Sequence, residues 1–414
     1  MKRIEKTNKF DKLIRECHSW DDFVGKAEAL PNTVSFGNLF ERLTQLYLLT
    51  QPEYQTKLKN VWLLSEVPPN VSNRLNLPGP DEGIDLIAET FSGKYWSIQC
   101  KYRSNLDKAL TYGELSTFST LSFVNCKNIA LGVVAHTTSK PIRKRKLLGN
   151  VTEIGLDRWL EISPEGWEAI RARARGRSLR PRKRTPRRHQ KSAIRAAKKH
   201  FITSKESRGR MIMPCGSGKS LVAFWIAREF NAKTIIVAVP SLTLIKQSLS
   251  DWTREFLAQN IIPEWLCVCS DESVGALEKD QFVSDAYEMG VPATTNPDEI
   301  TDFLKRKAKT PKIIFTTYQS SQRLAEAAKK AGNVFDLCIL DEAHKTVGAK
   351  DKVFATLIFE KNIKIRRRLF MTATERIYRG NSDDVLSMDD EALYGASFHT
   401  LSFKKAIEDE IICD

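Results

Sequence analysis

Short apolar runs separated by polar turns recur along the chain, and their period differs between its two ends. In the carboxyl-terminal part, residues 234–239, 313–315 and 337–340 are nearly unbroken apolar runs. Short bounded runs of this kind predict strands buried on both faces of a parallel sheet. Residues 221–230 form a longer apolar run and predict a buried helix. In the amino-terminal third, residues 83–87 predict a short strand, and residues 95–102 predict a second one. Side chains alternate along a strand, so Gln99 and Lys101 share one face and Cys100 points to the other. Ser92 and Gly93 mark the tip of a turn between them, and residues 128–135 predict a later core strand. Strands interleaved with helical runs predict an α/β fold class.

Composition changes this picture in two ways. A chain of 414 residues is long enough for about two or three domains, each with its own core. The net charge of +15 points to a polyanionic partner and leaves DNA and RNA both open. The eight cysteines show no paired disulfide spacing and no second ligand pair for zinc. With no secretory signal and no bilayer-length apolar run, the expectation is a reduced, cytoplasmic protein without a membrane partner. Basic residues crowd residues 171–191, which contain no acid. Pro181 and Pro186 break that run as a helix. It predicts a basic linker over residues 171–189, between a first domain at 1–170 and a second at 190–414. It serves either as a solvated spacer or as an arm in which Arg182 and Arg184 track a nucleic-acid backbone. It has no aromatic residue for stacking on bases.

Two strings carry the chemistry of the second domain. The first is Met213-Pro214-Cys215-Gly216-Ser217-Gly218-Lys219-Ser220, just ahead of the apolar helix. Gly216 and Gly218 allow positive φ and a close backbone approach. Backbone N–H groups, with Ser217 between the glycines, and a helix N-terminus then suit a phosphate. Lys219 supplies a point charge and Ser220 a magnesium ligand. Met213 stands where the strict phosphate-loop pattern has glycine. A Gly/Ser turn before an ordinary helix would read the same. The second string, Asp341-Glu342-Ala343-His344, closes the apolar run 337–340. Asp341 at the carboxyl edge of a parallel sheet can hold Mg²⁺, and Glu342 can act on water. An N-cap aspartate beside a solvated glutamate is the plainer alternative.

Together with Thr372-Ala373-Thr374, these strings resemble motifs I, II and III of superfamily 2 helicases and translocases of the DEAH-box type. The resemblance runs from about residue 185 to the end, with the motifs in order. It implies a RecA-like lobe that uses ATP and Mg²⁺, with Gln190 reading adenine. It also implies that His344, Thr372 and Thr374 couple nucleotide to nucleic acid. Ser241, Thr243, Thr294, Thr295, Thr316 and Thr317 resemble strand-contacting motifs, whose hydroxyls would touch phosphates. Motors of this kind need a second RecA-like lobe with arginine fingers. Residues 401–410 resemble the linker into it, so the expectation is the front part of a larger protein.

The amino-terminal strands hold Asp85 on one and Gln99 and Lys101 on the other. A hairpin would gather them for metal-assisted phosphodiester hydrolysis, with Asp85 and the Gln99 carbonyl on the metal and Lys101 on water. A half-buried hairpin with a surface aspartate and lysine is the alternative. The strings resemble the Mrr-like branch of PD-(D/E)xK nucleases, with a core at about residues 30–165. The resemblance makes Glu41 the acid of the opening helix. Nuclease before motor resembles single-polypeptide restriction-modification enzymes. It implies double-stranded DNA as partner, with further domains downstream. An inactive nuclease fold that only grips DNA is the rival reading, and an RNA helicase is a third.

Overall fold

The computed structural model describes residues 9–30, 33–79, 82–270, 286–349, 353–378 and 385–412. The chain divides into two compact units. The first is Met1–Arg182 with Tyr287–Pro292, and the second is Lys183–Ala286 with Ala293–Asp414.

The first unit is built on a five-stranded sheet in the order β1-β2-β3-β4-β5. Its strands are β1 (Leu58–Leu63), β2 (Leu86–Thr90), β3 (Tyr95–Lys101), β4 (Ile129–His136) and β5 (Val151–Ile154). β2 and β3 form the expected antiparallel hairpin, whose turn closes through Thr90 N donating to Lys94 O at 2.8 Å. Gly93 takes the left-handed conformation at its tip (φ +76°), which other residues adopt at a cost. The strand expected from Gly83 begins only at Leu86, and Gly83 itself, at φ +115°, is outside extended backbone. β4 and β5 then continue the sheet in parallel. Ile87, Phe118, Leu121 and Val134 belong to the core on one side. The helix Thr33–Thr50 packs against β3 and carries Glu41.

The second unit contains a seven-stranded sheet in the order β14-β6-β12-β10-β7-β9-β8. Its strands are β6 (Arg208–Ile212), β7 (Thr234–Val239), β8 (Glu264–Val268), β9 (Lys312–Thr317), β10 (Leu337–Leu340), β12 (Arg368–Thr372) and β14 (Ala396–Thr400). Two short strands, β11 (Gly348–Ala349) and β13 (Val385–Leu386), pair separately. Every pair in the large sheet is parallel. The unbroken apolar runs are explained by burial on both faces: Ile236, Ile314, Cys338 and Phe370 all lie in one core cluster. Each fully buried Ile or Phe of this kind contributes about 1.5–3 kcal/mol. Because the strands are parallel, all their carboxyl ends lie along one edge. The glycine loop follows β6, Ser241 follows β7, Tyr318 follows β9, Asp341 follows β10 and Ala373 follows β12. The topology thus delivers motifs far apart in sequence to a single edge.

The basic run is not uniform. The helix Pro164–Ala174 takes in Arg171 and Arg173, and Arg171 donates to Cys17 O at 3.0 Å. Arg175, Arg177, Arg180 and Arg182 are exposed. A second helix, Arg188–Lys198, then begins just before Gln190.

Candidate functional site

The helix Lys219–Glu229 starts from Gly218 in the left-handed conformation, φ +82° and ψ +35°. Gly216 has φ +78°. Gly218 has a second reason to be glycine, because an added Cβ would lie 2.5 Å from Gln190 Nε2. Gln190 is buried and donates to Ser217 O at 3.2 Å, while its Oε1 accepts from Arg187 N at 2.8 Å. His189 Nε2 also meets Ser217 O at 3.0 Å. The residue expected to read adenine is therefore fastened to the loop expected to hold phosphate. Sequence reasoning gives His189 no role; its position next to Gln190 is the available signal.

Lys219 is buried, and its Nζ lies 3.6 Å from Glu342 Oε1 and 3.8 Å from Cys215 Sγ. Asp341 is held by Asp341 N donating to Ala238 O at 2.9 Å, and its Oδ1 accepts from Glu342 N at 3.0 Å. Glu342 is in the left-handed conformation at φ +49°, so the chain turns sharply after β10. Burial, with the Glu342 carboxylate beside it, raises the Asp341 carboxyl to about 6. Glu342 moves the other way. Its hydrogen bond from His344 is the main cause of a lowered pKa, and Lys219 adds to it.

A line of contacts continues from there. His344 Nδ1 lies 3.4 Å from Glu342 Oε2 and 3.1 Å from Thr372 Oγ1. Thr372 Oγ1 donates to Thr374 O at 2.7 Å, which leaves it to accept from His344. Met213 N donates to Thr372 O at 3.0 Å. The glycine loop, the acidic pair and the threonine motif thus form one bonded line, Lys219–Glu342–His344–Thr372–Thr374.

In the first unit, Asp85 N donates to Ile98 O at 2.9 Å, one step beyond the pairing of Leu86 with Ile98. Asp85 therefore lies at the open end of the hairpin, just before β2 and bonded to Ile98 of β3. Asp85 Oδ2 accepts from Cys100 N at 2.6 Å. Burial raises the Cys100 thiol well above its usual range, and the Asp85 and Glu41 carboxylates raise it further, while Lys101 acts against them. Asp85, Glu41 and Lys101 thus lie within electrostatic reach of Cys100, which follows Gln99 on β3. Gln99 is buried, and its Oε1 has no hydrogen-bond partner among the described residues. A buried, orphaned carbonyl oxygen next in sequence to the Cys100 N that holds the Asp85 carboxylate fits a hard cation such as Mg²⁺, which takes one or two carboxylates and keeps waters. Among the described residues no group of three or more His, Cys, Asp or Glu gathers as a metal cluster.

Several expected nucleic-acid contacts are placed differently. Thr316 and Thr317 are fully buried. Thr316 Oγ1 donates to Val268 O at 3.0 Å, and Thr317 Oγ1 meets Ser320 Oγ at 3.2 Å. Phosphate contact from these two hydroxyls gives way to internal bonding, because β9 is an inner strand whose end is covered. Arg184 pairs with Asp251 at 2.9 Å and Glu255 at 3.7 Å, so acids of the helix Leu242–Ala258 already occupy its charge. Ser241 caps that helix by accepting from Leu244 N at 3.3 Å. Thr243 Oγ1 is buried without a partner among the described residues. Thr294 and Thr295 are half-exposed, and Thr294 Oγ1 accepts from Asn296 N at 3.0 Å. Arg182 is exposed.

Residues 183–377 match the family described as "Type III restriction enzyme, res subunit". Residues 49–168 match a family described as "Restriction endonuclease". The chain joins a restriction-endonuclease domain to a restriction-type helicase domain. The solved structure of the ATP-dependent Type ISP restriction-modification enzyme LlaBIII bound to DNA is 26% identical, with a TM-score of 0.77. The similarity covers 96% of this chain and 26% of that one. A nuclease-deletion mutant of the Type ISP enzyme LlaGI is 29% identical over 55% of this chain and 21% of that one, with a TM-score of 0.44. A probable helicase of African swine fever virus is 30% identical over 204 residues, which is 48% of this chain and 20% of the viral protein. The chain thus spans about a quarter or less of each of these relatives.

The two matched families imply use of ATP and of a divalent metal. The helicase-domain site fits a magnesium nucleotide: glycines at positive φ, a buried lysine and a buried carboxylate share one sheet edge. Bound there, the magnesium nucleotide would supply the phosphoanhydride to be broken. Lys219 would hold phosphate oxygens, Ser220 and Asp341 would face the metal, and Glu342 would orient water. Among the described residues no helix is long and apolar enough to cross a membrane.

Proposed function

We propose that this chain is the cutting and front-motor part of an ATP-dependent DNA translocase that cleaves double-stranded DNA with Mg²⁺, acting in restriction or defence against phage. The observation that carries the proposal is the bonded line Lys219–Glu342–His344–Thr372–Thr374. It links a phosphate loop to a coupling motif in a chain whose other unit holds the Asp85 carboxylate on Cys100 N, between Gln99 and Lys101. In the motor, Lys219, Ser220 and Asp341 bind the magnesium nucleotide, Gln190 reads the base, and Glu342 directs water. His344, Thr372 and Thr374 pass the nucleotide state toward DNA. In the nuclease, Asp85 and Gln99 hold the metal, Lys101 orients water, and Glu41 supplies a further carboxylate. The exposed Arg175, Arg177, Arg180 and Arg182 contact the DNA backbone. A second RecA-like lobe and downstream domains complete the motor as partners.

Nicking of supercoiled plasmid with Mg²⁺ or Mn²⁺ tests the nuclease half. Wild type is expected to nick, while Asp85→Ala and Lys101→Ala bind duplex as before and nick nothing. Cleavage that persists in Asp85→Ala rejects the site. The neutral Gln99 favours one rival, a nuclease fold used only to grip DNA. Wild type that binds duplex and nicks with neither metal would support that rival.

A further inference from the structure

The first unit is completed from far along the chain. Tyr287–Pro292 belong to it, although Lys183–Ala286 and Ala293–Asp414 belong to the second. This short stretch is tied to the rest of its unit at three points. Thr152 Oγ1, on β5, donates to Tyr287 O at 2.6 Å. The buried Tyr54 hydroxyl donates to Gly290 O at 2.8 Å. The Arg145 guanidinium lies over the Tyr287 ring, 4.0 Å from its centroid. Met289 and Val291 are buried. Gly290 sits at φ +67°, and an added Cβ would lie 2.7 Å from Tyr54 Oη. Both facts make the position one for glycine.

Two lines run inward from the stretch and meet at one residue. The first is polar. Arg145 Nη1 donates to Glu153 Oε1 at 2.9 Å, and Glu153 Oε2 meets His136 Nε2 at 3.2 Å. Arg145, Glu153 and His136 are all buried, so each depends on its neighbour for a polar partner. The second line is aromatic. The Tyr54 ring lies 5.6 Å from that of Tyr47, and Tyr47 lies 4.8 Å from Trp159, between centroids. Trp159 Nε1 donates to His136 O at 2.8 Å. The polar line holds the His136 side chain, and the aromatic line holds its carbonyl. His136 ends β4 and is paired in register with Lys101, which ends β3. Just beyond, Thr137 Oγ1 accepts from Arg103 N at 2.8 Å and donates to Arg103 O at 2.9 Å. The end of β3 thus rests on the end of β4, which is held in turn from Tyr287 and Gly290.

We infer that Tyr287 and Gly290 form a strap of positioning residues that sets Lys101 through His136, so that the nuclease draws a support for its lysine from a late part of the chain. The inference rests on the reading of the first unit as a nuclease in which Lys101 orients water. A stretch that merely packs on β5 and stabilises the unit as a whole is the plain alternative. Tyr287→Ala removes the ring over Arg145, whereas Tyr287→Phe keeps a ring there for the guanidinium.

The test follows the 414-residue chain by amide hydrogen exchange and by nicking of supercoiled plasmid with Mg²⁺. In Tyr287→Ala, exchange is expected to quicken at residues 101–103 and 136–138, while residues 131–133, inside β4, keep the wild-type rate. Loosening the support of a reacting group lowers activity about 10- to 100-fold. The nicking kcat of Tyr287→Ala should fall by that factor, with KM for plasmid unchanged. Gly290→Ala lifts the other end of the strap and should repeat both effects. Tyr287→Phe should match wild type in both. The inference is overturned if Tyr287→Ala keeps wild-type exchange at residues 101–103, or keeps the wild-type kcat. It is equally overturned if exchange quickens to the same degree throughout β3 and β4, which is what a packing role would do. Wild type that nicks nothing overturns the nuclease reading itself, and exchange at residues 101–103 still decides whether the strap holds the end of β3.

Discussion

Gly218→Ala perturbs the point where Gln190 and the glycine loop meet. Two costs follow from the structure. The residue sits at φ +82°, where a side chain costs roughly 1–2 kcal/mol. The new Cβ would also lie 2.5 Å from Gln190 Nε2, so Gln190 must withdraw and lose its bond to Ser217 O. A buried hydrogen bond contributes about 0.5–1.5 kcal/mol. Together the loss is about 1.5–3.5 kcal/mol. For a domain of this size each kcal/mol lowers Tm by about 2–4 °C, which gives roughly 3–14 °C. Gly332→Ala provides the comparison. Gly332 has φ +64° with nothing within 4 Å of an added Cβ, so it carries the strain alone. Thermal unfolding of both variants, with Mg·ADP titration beside it, isolates the Gln190 contact. The expected result is that Gly218→Ala unfolds at the lower temperature and loses nucleotide affinity, while Gly332→Ala keeps it. Equal Tm for the two variants, with nucleotide affinity unchanged in both, would refute the reasoning.

Two further outcomes follow from charge. Burial beside Glu342 raises Asp341 to about 6, and a metal needs the ionised carboxylate. Mg·nucleotide affinity should therefore be full well above that pH and fall as the pH drops through it. Affinity that stays flat from about pH 5 to about pH 8 would show that Asp341 does not meet the metal. The second outcome concerns the exposed basic run. Changing Arg175, Arg177, Arg180 and Arg182 to glutamine should lower the slope of log K for duplex against log salt by about 0.9 for each phosphate no longer neutralised, or about 3–4 in all. An unchanged slope would make the run a plain spacer.

The sequence made much of the large parallel sheet readable, because strands buried on both faces must be apolar throughout. Residues 234–239 and 337–340 form β7 and β10 for that reason. The hairpin turn at Ser92 and Gly93 was equally plain, since few residues tolerate its backbone. Strand order was not readable. Nothing local places β14 beside β6, or lets Tyr318 cross β7 to reach Asp341. Side-chain partners were hidden for the same reason. Thr316 and Thr317 resemble loop hydroxyls in the sequence but end an inner strand and are buried. Arg184 lies in an unbroken basic run, yet two acids from the helix Leu242–Ala258 claim it. The candidate nuclease residues were legible as types at a spacing. Their convergence on Cys100 depended on a helix far away in the chain.

The most direct test of nucleotide binding at this edge is calorimetric titration of Mg·ATP into wild type and Lys219→Ala. Lys219 is buried within 3.6 Å of Glu342, and on binding it would exchange that partner for phosphate. A hydrogen bond to a charged group contributes about 1.5–3 kcal/mol, so the variant should bind roughly 10- to 150-fold more weakly, with its fold intact by circular dichroism. Equal affinity in the two proteins, or no binding by wild type, would contradict the assignment of this edge as the nucleotide site.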